Sequence, residues 1–315
     1  MSVIGALIST GPVEIFRLIL EMASHSDRRT ALNLIYVSKM IKQWTEPLLY
    51  RTVILTSGTF TVKLFYCLTL RANGAEFFAR NIETLVVCRM MPSGFRFSDC
   101  IPPEGFLDRL QSFGQYLSDD PAGTATLICR ARNLRRAYLC PETEQYDVIR
   151  PALSASSITH LAIRGDECVY DLVTCMPNLT HLALDCELDM AQHAHADGNI
   201  TTPCPELFDK PLRQWEYILI IVGSPMRVEF TPSGSCWDIL TRTPVDPRFV
   251  WVTRELKSVF DKVSVTEYVA GGPSEGLLYL NANDPTFARH REDREDMWDV
   301  IERIVDERRA ALTKT

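Results

Sequence analysis

A short pattern recurs through the middle of the chain and limits what it can fold into. Its copies are NIETLVV (81–87), NLRRAYL (133–139), SITHLAI (157–163) and NLTHLAL (178–184), with a weaker fifth, PLRQWEY (211–217). Leu134 to Ile158 is 24 positions and Ile158 to Leu179 is 21. Apolar residues hold the first, fourth and sixth places of an L-x-x-L-x-L kernel. A strand this short cannot bury its own apolar side. Copies must therefore stack side by side, with a returning segment on the outside. Asp147 to Ala155 and Cys168 to Met176 are patterned as short helices that could make the return, and Pro177 would close the second. The predicted class is α/β, passing into α+β in a mixed region toward the C-terminus.

Side chains alternate faces along a strand. If Leu161, Ile163, Leu182 and Leu184 face the core, then His160, Arg164, His181 and Asp185 face the other way, with Ala162 and Ala183 between them. The same frame places Arg136 and Tyr138 outward one copy earlier. These six polar and aromatic residues form the candidate partner face, and Tyr and Arg are frequent interface anchors.

The N-terminal region is patterned differently. From Thr30 a helix is predicted through Trp44, with Leu34, Val37 and Ile41 recurring at helical spacing. Pro47 is predicted to end it near Glu46, followed by a strand from Leu48 to Leu55. Upstream, Pro12 to Ala23 reads as a second helix with Ile15, Leu18, Ile19 and Met22 on one side. Pro12 and Glu14 suit its N-terminal turn.

The segments PVEIFRLIL, ALNLIYVSK and EPLLYRTVIL resemble the F-box-like N-terminus of proteins from mushroom-type fungi. Pro12, Glu14, Ile15, Ile19, Val37, Ser38 and Lys39 match motif positions, and the resemblance is strongest over residues 1–55. The recurring kernels are similar to degenerate leucine-rich repeats. The combined resemblance implies a substrate-recognition adaptor of a cullin-type (SCF) ubiquitin ligase. Pro12, Ile15, Ile19, Leu34, Val37, Ser38 and Lys39 would bind the linker subunit of the cullin complex. Residues 56–315 would form an irregular leucine-rich-repeat-like solenoid holding a protein target of unknown identity. Gly11 stands where the motif usually has Leu, and Ile41 where it usually has Trp. These departures favour the alternative, a repeat scaffold without ligase docking.

Other segments carry local expectations. Val62 to Arg71, Ala75 to Arg80 and Thr126 to Ala131 read as helical. Gly105 to Leu117 also reads as a helix, with Phe106, Leu110, Phe113 and Leu117 a turn or two apart. Leu212 to Val222, Met226 to Phe230, Trp251 to Thr253 and Gly276 to Asn281 read as strands in an irregular part, 186–315, with Leu256 to Lys262 helical between them. Arg291 to Leu312 reads as an amphipathic helix with Trp298, Ile301, Ile304 and Val305 on one face, capping the open end of the stack.

The bulk chemistry narrows the partners. A net charge of −7 argues against nucleic acid or an anionic membrane as partner. Residues 1–9 are apolar without a basic flank, and the run 217–222 is too short to span a bilayer. The expected location is cytoplasmic, nuclear or both. The ten cysteines include no C-x-x-C pair and read as reduced thiols, with Cys67, Cys88, Cys129 and Cys175 in apolar contexts.

Three stretches could carry chemistry. Gly234-Ser235-Cys236-Trp237 resembles the nucleophile segment of papain-like proteases, which makes a thiol hydrolase using Cys236 the remote alternative. Ser233 replaces the first Cys of that segment, and the only downstream His is His290. Cys186, His193, His195 and Cys204 are zinc-ligand types without the spacing of a known finger. Residues 270–276 are Gly-rich but lack the Lys-Ser/Thr of a phosphate loop. No catalytic residue, metal or cofactor is expected, and the chain is read as a non-enzyme.

Overall fold

The computed structural model of the 315-residue chain describes residues 12–55, 58–71, 73–87, 107–116, 120–141, 143–164, 169–187, 215–224, 249–255, 262–269, 272–281 and 297–313. It is a mixed helix and strand structure built on a largely parallel sheet. The N-terminal helices are α1 (Val13–Ser26), α2 (Arg28–Leu34) and α3 (Lys39–Arg51).

Local chemistry divides what reads in sequence as one helix from Thr30 to Glu46. Asp27 is extended and accepts hydrogen bonds from the Arg29 and Thr30 amides at 3.0 and 2.9 Å, starting α2. The Thr30 hydroxyl and these amides hold the Asp27 carboxyl below its ordinary range. Ser38, also extended, accepts from the Ile41 amide at 3.1 Å and starts α3. A capping serine satisfies amides that a new helix leaves open. The turn at 35–37 therefore separates Leu34 and Val37 from Ile41, which is buried while Val37 is exposed.

Pro47 does not end α3. It lies inside the helix, which continues to Arg51, so the strand is only Thr52–Leu55. Packing outweighs the local preference here. Tyr50 meets Phe77 and Phe78 edge-on at 5.5 and 5.0 Å. Glu46 takes both arms of Arg71 at 3.0 and 3.1 Å, and Arg71 lies 3.7 Å over the Phe77 ring.

The sheet has ten strands in chain order: β1 (Thr52–Leu55), β2 (Thr84–Val87), β3 (Ser112–Tyr116), β4 (Arg136–Cys140), β5 (His160–Arg164), β6 (His181–Glu187), β7 (Tyr217–Ser224), β8 (Phe249–Glu255), β9 (Lys262–Val269) and β10 (Gly272–Asn281). Strands β1 to β8 pair in parallel, while β8–β9 and β9–β10 are antiparallel. The returning helices are α4 (Gly58–Leu70), α5 (Gly74–Asn81), α6 (Pro121–Arg130), α7 (Tyr146–Ser154) and α8 (Val169–Thr174). A last helix, α9, spans Met297–Leu312. No helix among the described residues is long and apolar enough to cross a membrane.

The register aligns the kernels in columns. Val53, Leu85, Phe113, Ala137, Leu161, Leu182 and Ile218 pair in sequence across the strands. A second column ahead of them, Ile82, Leu110, Leu134, Ile158, Leu179 and Trp215, is fully buried in the same core as Leu127, Ile149, Leu153 and Leu172 of the helices.

This alignment corrects two expectations. Gly105–Leu117 is no helix: Leu110 and Phe113 occupy kernel positions and β3 runs to Tyr116. The apparent gap from Ile82 to Leu134 thus holds a kernel whose polar Gln115 and small Gly114 disguise it. The fifth kernel starts at Trp215 rather than Leu212, because Ile218 pairs with Leu182.

Backbone bonds repeat with the columns. Each residue just before a strand donates to its counterpart in the preceding copy: Glu83 to Arg51, Gln111 to Glu83, Arg135 to Gln111, Thr159 to Arg135, Thr180 to Thr159 and Glu216 to Thr180, all at 2.8–3.0 Å. Side chains reinforce the ladder. Asn133, Ser157 and Asn178 each precede a kernel and reach back to the carbonyls of Asp108, Arg132 and Ser156. This accounts for the polar residue that opens NLRRAYL, SITHLAI and NLTHLAL.

Smaller differences follow from caps and packing. α4 begins at Gly58 and α6 at Pro121, where Asp120 accepts from the Gly123 amide at 2.9 Å. Cys67 and Cys129 are exposed rather than in apolar packing, and with Cys140 and Cys175 are free thiols. The expected strand 226–230 lies outside the described residues, as do Cys88 and the expected helical stretch 256–262 except for Lys262, which opens β9 instead.

Candidate protein-interaction surfaces

Two surfaces carry the residues singled out by sequence. The first is on α1. Phe16 meets Trp44 of α3 edge-on at 6.3 Å, and Leu20 is buried beside it. At about 100° per residue Ile15, Leu18, Ile19 and Met22 fall on another side of the helix. Ile15, Leu18, Ile19 and Met22 are 54, 52, 57 and 64% exposed, so four large apolar groups share a solvent-facing stripe. Of the proposed linker-binding residues, Pro12, Ile15, Ile19, Val37, Ser38 and Lys39 are exposed and Leu34 is half-buried. Ser38 has the added task of capping α3.

The second surface is the sheet face opposite the kernel columns. The register brings Arg136, His160 and His181 into one row and Tyr138, Ala162 and Ala183 into the next. Arg164 pairs with Asp185 in backbone register, while their side chains lie outside the described set. This face is not open as expected. Tyr138 is only 4% exposed and His181 7%, and His160 is half-buried.

The reason for the cover at the histidines is α9. The helix does not cap the open end of the sheet, where β9 and β10 continue antiparallel pairing. It lies on this face instead. Trp298 stands edge-on to His160 and His181 at 5.2 and 5.8 Å, and Val305 is buried. Arg309 Nη2 donates to the Glu216 carbonyl at 3.0 Å. Ile301 and Ile304 fall outside the described side chains.

Under α9 the two imidazoles stack at 3.8 Å, tilted by 13°. His181 Nε2 is 3.1 Å from Glu302 Oε1 and His160 Nε2 is 3.9 Å from it. Each Nδ1 meets the hydroxyl of the preceding threonine, Thr159 at 2.8 Å and Thr180 at 2.7 Å. Burial, then the neighbouring His181, then Arg136 push His160 down to about 3. Burial and then Arg136 push His181 down to about 4. Both rings are therefore neutral near pH 7.

Sequence reasoning placed both histidines on the same face but missed Glu302, which is 121 residues from His181. The doubled Thr-His pair in SITHLAI and NLTHLAL was the available signal. The other candidates are not brought together in what is described: His193, His195, Cys204 and Cys236 lie outside the described residues. Cys186 is placed only as backbone in β6, and the Gly-rich stretch is described only from Gly272, where β10 begins.

No protein-family profile matches this chain, and no curated protein is significantly similar to it.

Proposed function

We propose that the chain is an F-box-like adaptor. Its N-terminal helices would dock on the linker subunit of a cullin-type ubiquitin ligase, and a leucine-rich-repeat-like domain would hold a protein target. One observation carries the docking half: the stripe of Ile15, Leu18, Ile19 and Met22 in solvent on α1. Burying a side chain of this kind stabilises by about 1.5–3 kcal/mol, so four left in water on one helix suit a partner groove.

Support for the repeat half comes from the sheet. Seven parallel pairings run in strict chain order, kernels fall in columns, and described helices return between β1 and β2 and between successive strands from β3 to β6. That arrangement suits a solenoid whose units contact only their neighbours. A target approaching the face of His160 and His181 meets the outer side of α9, where Asp299, Arg303, Asp306 and Glu307 are exposed. The ubiquitin chemistry would belong to the partner enzymes, and no residue here is assigned a catalytic role.

A second reading, a scaffold without docking, is favoured by α1–α3 packing on one another and, through Tyr50 and Glu46, on the helices that follow β1. Ile41 is buried and Phe16 packs on Trp44, so the helices can serve as a cover for β1.

A pull-down of the full chain with the ligase linker subunit separates the two. The partner variant is Ile15→Asp/Ile19→Asp, with circular dichroism confirming that it folds. Capture by wild type and loss in the variant is the expected outcome. Failure of folded wild type to bind would give the scaffold reading precedence.

A further inference from the structure

The ring nitrogens of His160 and His181 and the carboxylate of Glu302 offer three ligand atoms within 4.8 Å of one another. They come from β5, β6 and α9, and α9 is brought there from far along the chain.

The hydrogen bonds behind the rings bear on which nitrogen carries the proton. Thr159 Oγ1 lies 3.3 Å from the Arg135 carbonyl, and Thr180 Oγ1 lies 3.2 Å from the Thr159 carbonyl. A hydroxyl has one proton. Donated to the carbonyl, it leaves the oxygen to accept from the ring Nδ1–H. Each Nε2 then presents a lone pair toward Glu302. A lone pair and a carboxylate oxygen 3.1 Å apart need a positive centre between them. A single proton on His181 can fill that role, but it cannot also serve His160 Nε2 at 3.9 Å. A metal ion with bonds of about 2.0–2.2 Å can, because two such bonds span up to about 4 Å.

We propose that His160, His181 and Glu302 form a site for a divalent ion of the zinc class, which fastens α9 to the sheet face. Two imidazoles and one carboxylate leave a fourth position for water, and Glu302, 41% exposed at its side chain, sits at the open side. Thr159 and Thr180 orient the rings from behind, as outer groups do in histidine metal sites. Binding draws the two Nε2 atoms together from the parallel stack. The site stands whether or not the chain docks on a ligase.

The test uses the full chain, stripped with a chelator and titrated with Co²⁺, followed by Zn²⁺ competition. Wild type should show the visible absorption of four-coordinate Co²⁺ at one equivalent, displaced by Zn²⁺. Glu302→Gln alters a half-exposed side chain and should fold. It should weaken Zn²⁺ binding at least tenfold, and His181→Gln should abolish the Co²⁺ bands. Absence of stoichiometric Co²⁺ binding by folded wild type would overturn the site and leave a proton-only clamp. Unchanged binding in folded Glu302→Gln would overturn it too.

Discussion

At the residue scale, His160 and His181 make a pH-dependent contribution whose sign can be worked out. Their ordinary value is 6.5, and in the fold they lie near 3 and 4. Between about pH 6.5 and 4 the unfolded chain therefore binds more protons than the native one, and stability falls as pH falls through that window. Arg136 acts in the same direction for both rings, and the His181 imidazole discourages a charge on His160. Glu302, at 3.1 Å from His181, works against the loss. In chelator, the urea midpoint of wild type should drop from pH 7.5 to 5.5. A folded His160→Gln/His181→Gln variant should show a shallower drop. Equal slopes would remove the histidines from the account.

At the scale of elements, the described side chains that hold α9 to the sheet include Trp298, Val305, Glu302 and Arg309. Replacing Trp298 by Ala should cost about 3–5 kcal/mol of the local packing. It should raise amide exchange in α9 and around His160 and His181 while β2–β4 stay protected. Uniform loss of protection would mean that α9 and the sheet open as one unit. This element also marks a limit of sequence reading. The spacing of Trp298 and Val305 revealed an apolar face, but nothing in it told which surface that face covers. The same ambiguity hid β3: Leu110 and Phe113 are three apart, a spacing that serves a helix face and an L-x-x-L kernel equally. Pro47 misled in the opposite direction, since the aromatic contacts of Tyr50 lie far downstream and no local rule includes them. What could be read locally held: the kernels of β2, β4, β5 and β6, and the helices α7 and α8 between them.

Across the whole molecule, stability rests on the columns rather than on the exposed helices. Leu161 is completely buried in the shared core, so Leu161→Ala should cost about 2–5 kcal/mol. Leu18→Ala, at a half-exposed position on α1, should change the melting temperature little. Equal losses in the two variants would mean that α1 is packed away in solution, against the docking surface proposed for it. The two outcomes can be read by thermal denaturation of the same preparations.

The return of α9 to β5 and β6 has a mechanical consequence. A sheet zipped in chain order could be peeled in the reverse order, one strand at a time, by tension on its C-terminus. Here that tension reaches Arg309 and Glu302 first, so α9 acts as a buckle fastened across the middle of the strip. The last strands, β8 to β10, are shielded from pulling until the buckle gives. A stretched molecule should accordingly yield in one early abrupt step at α9, and only afterwards unravel strand by strand.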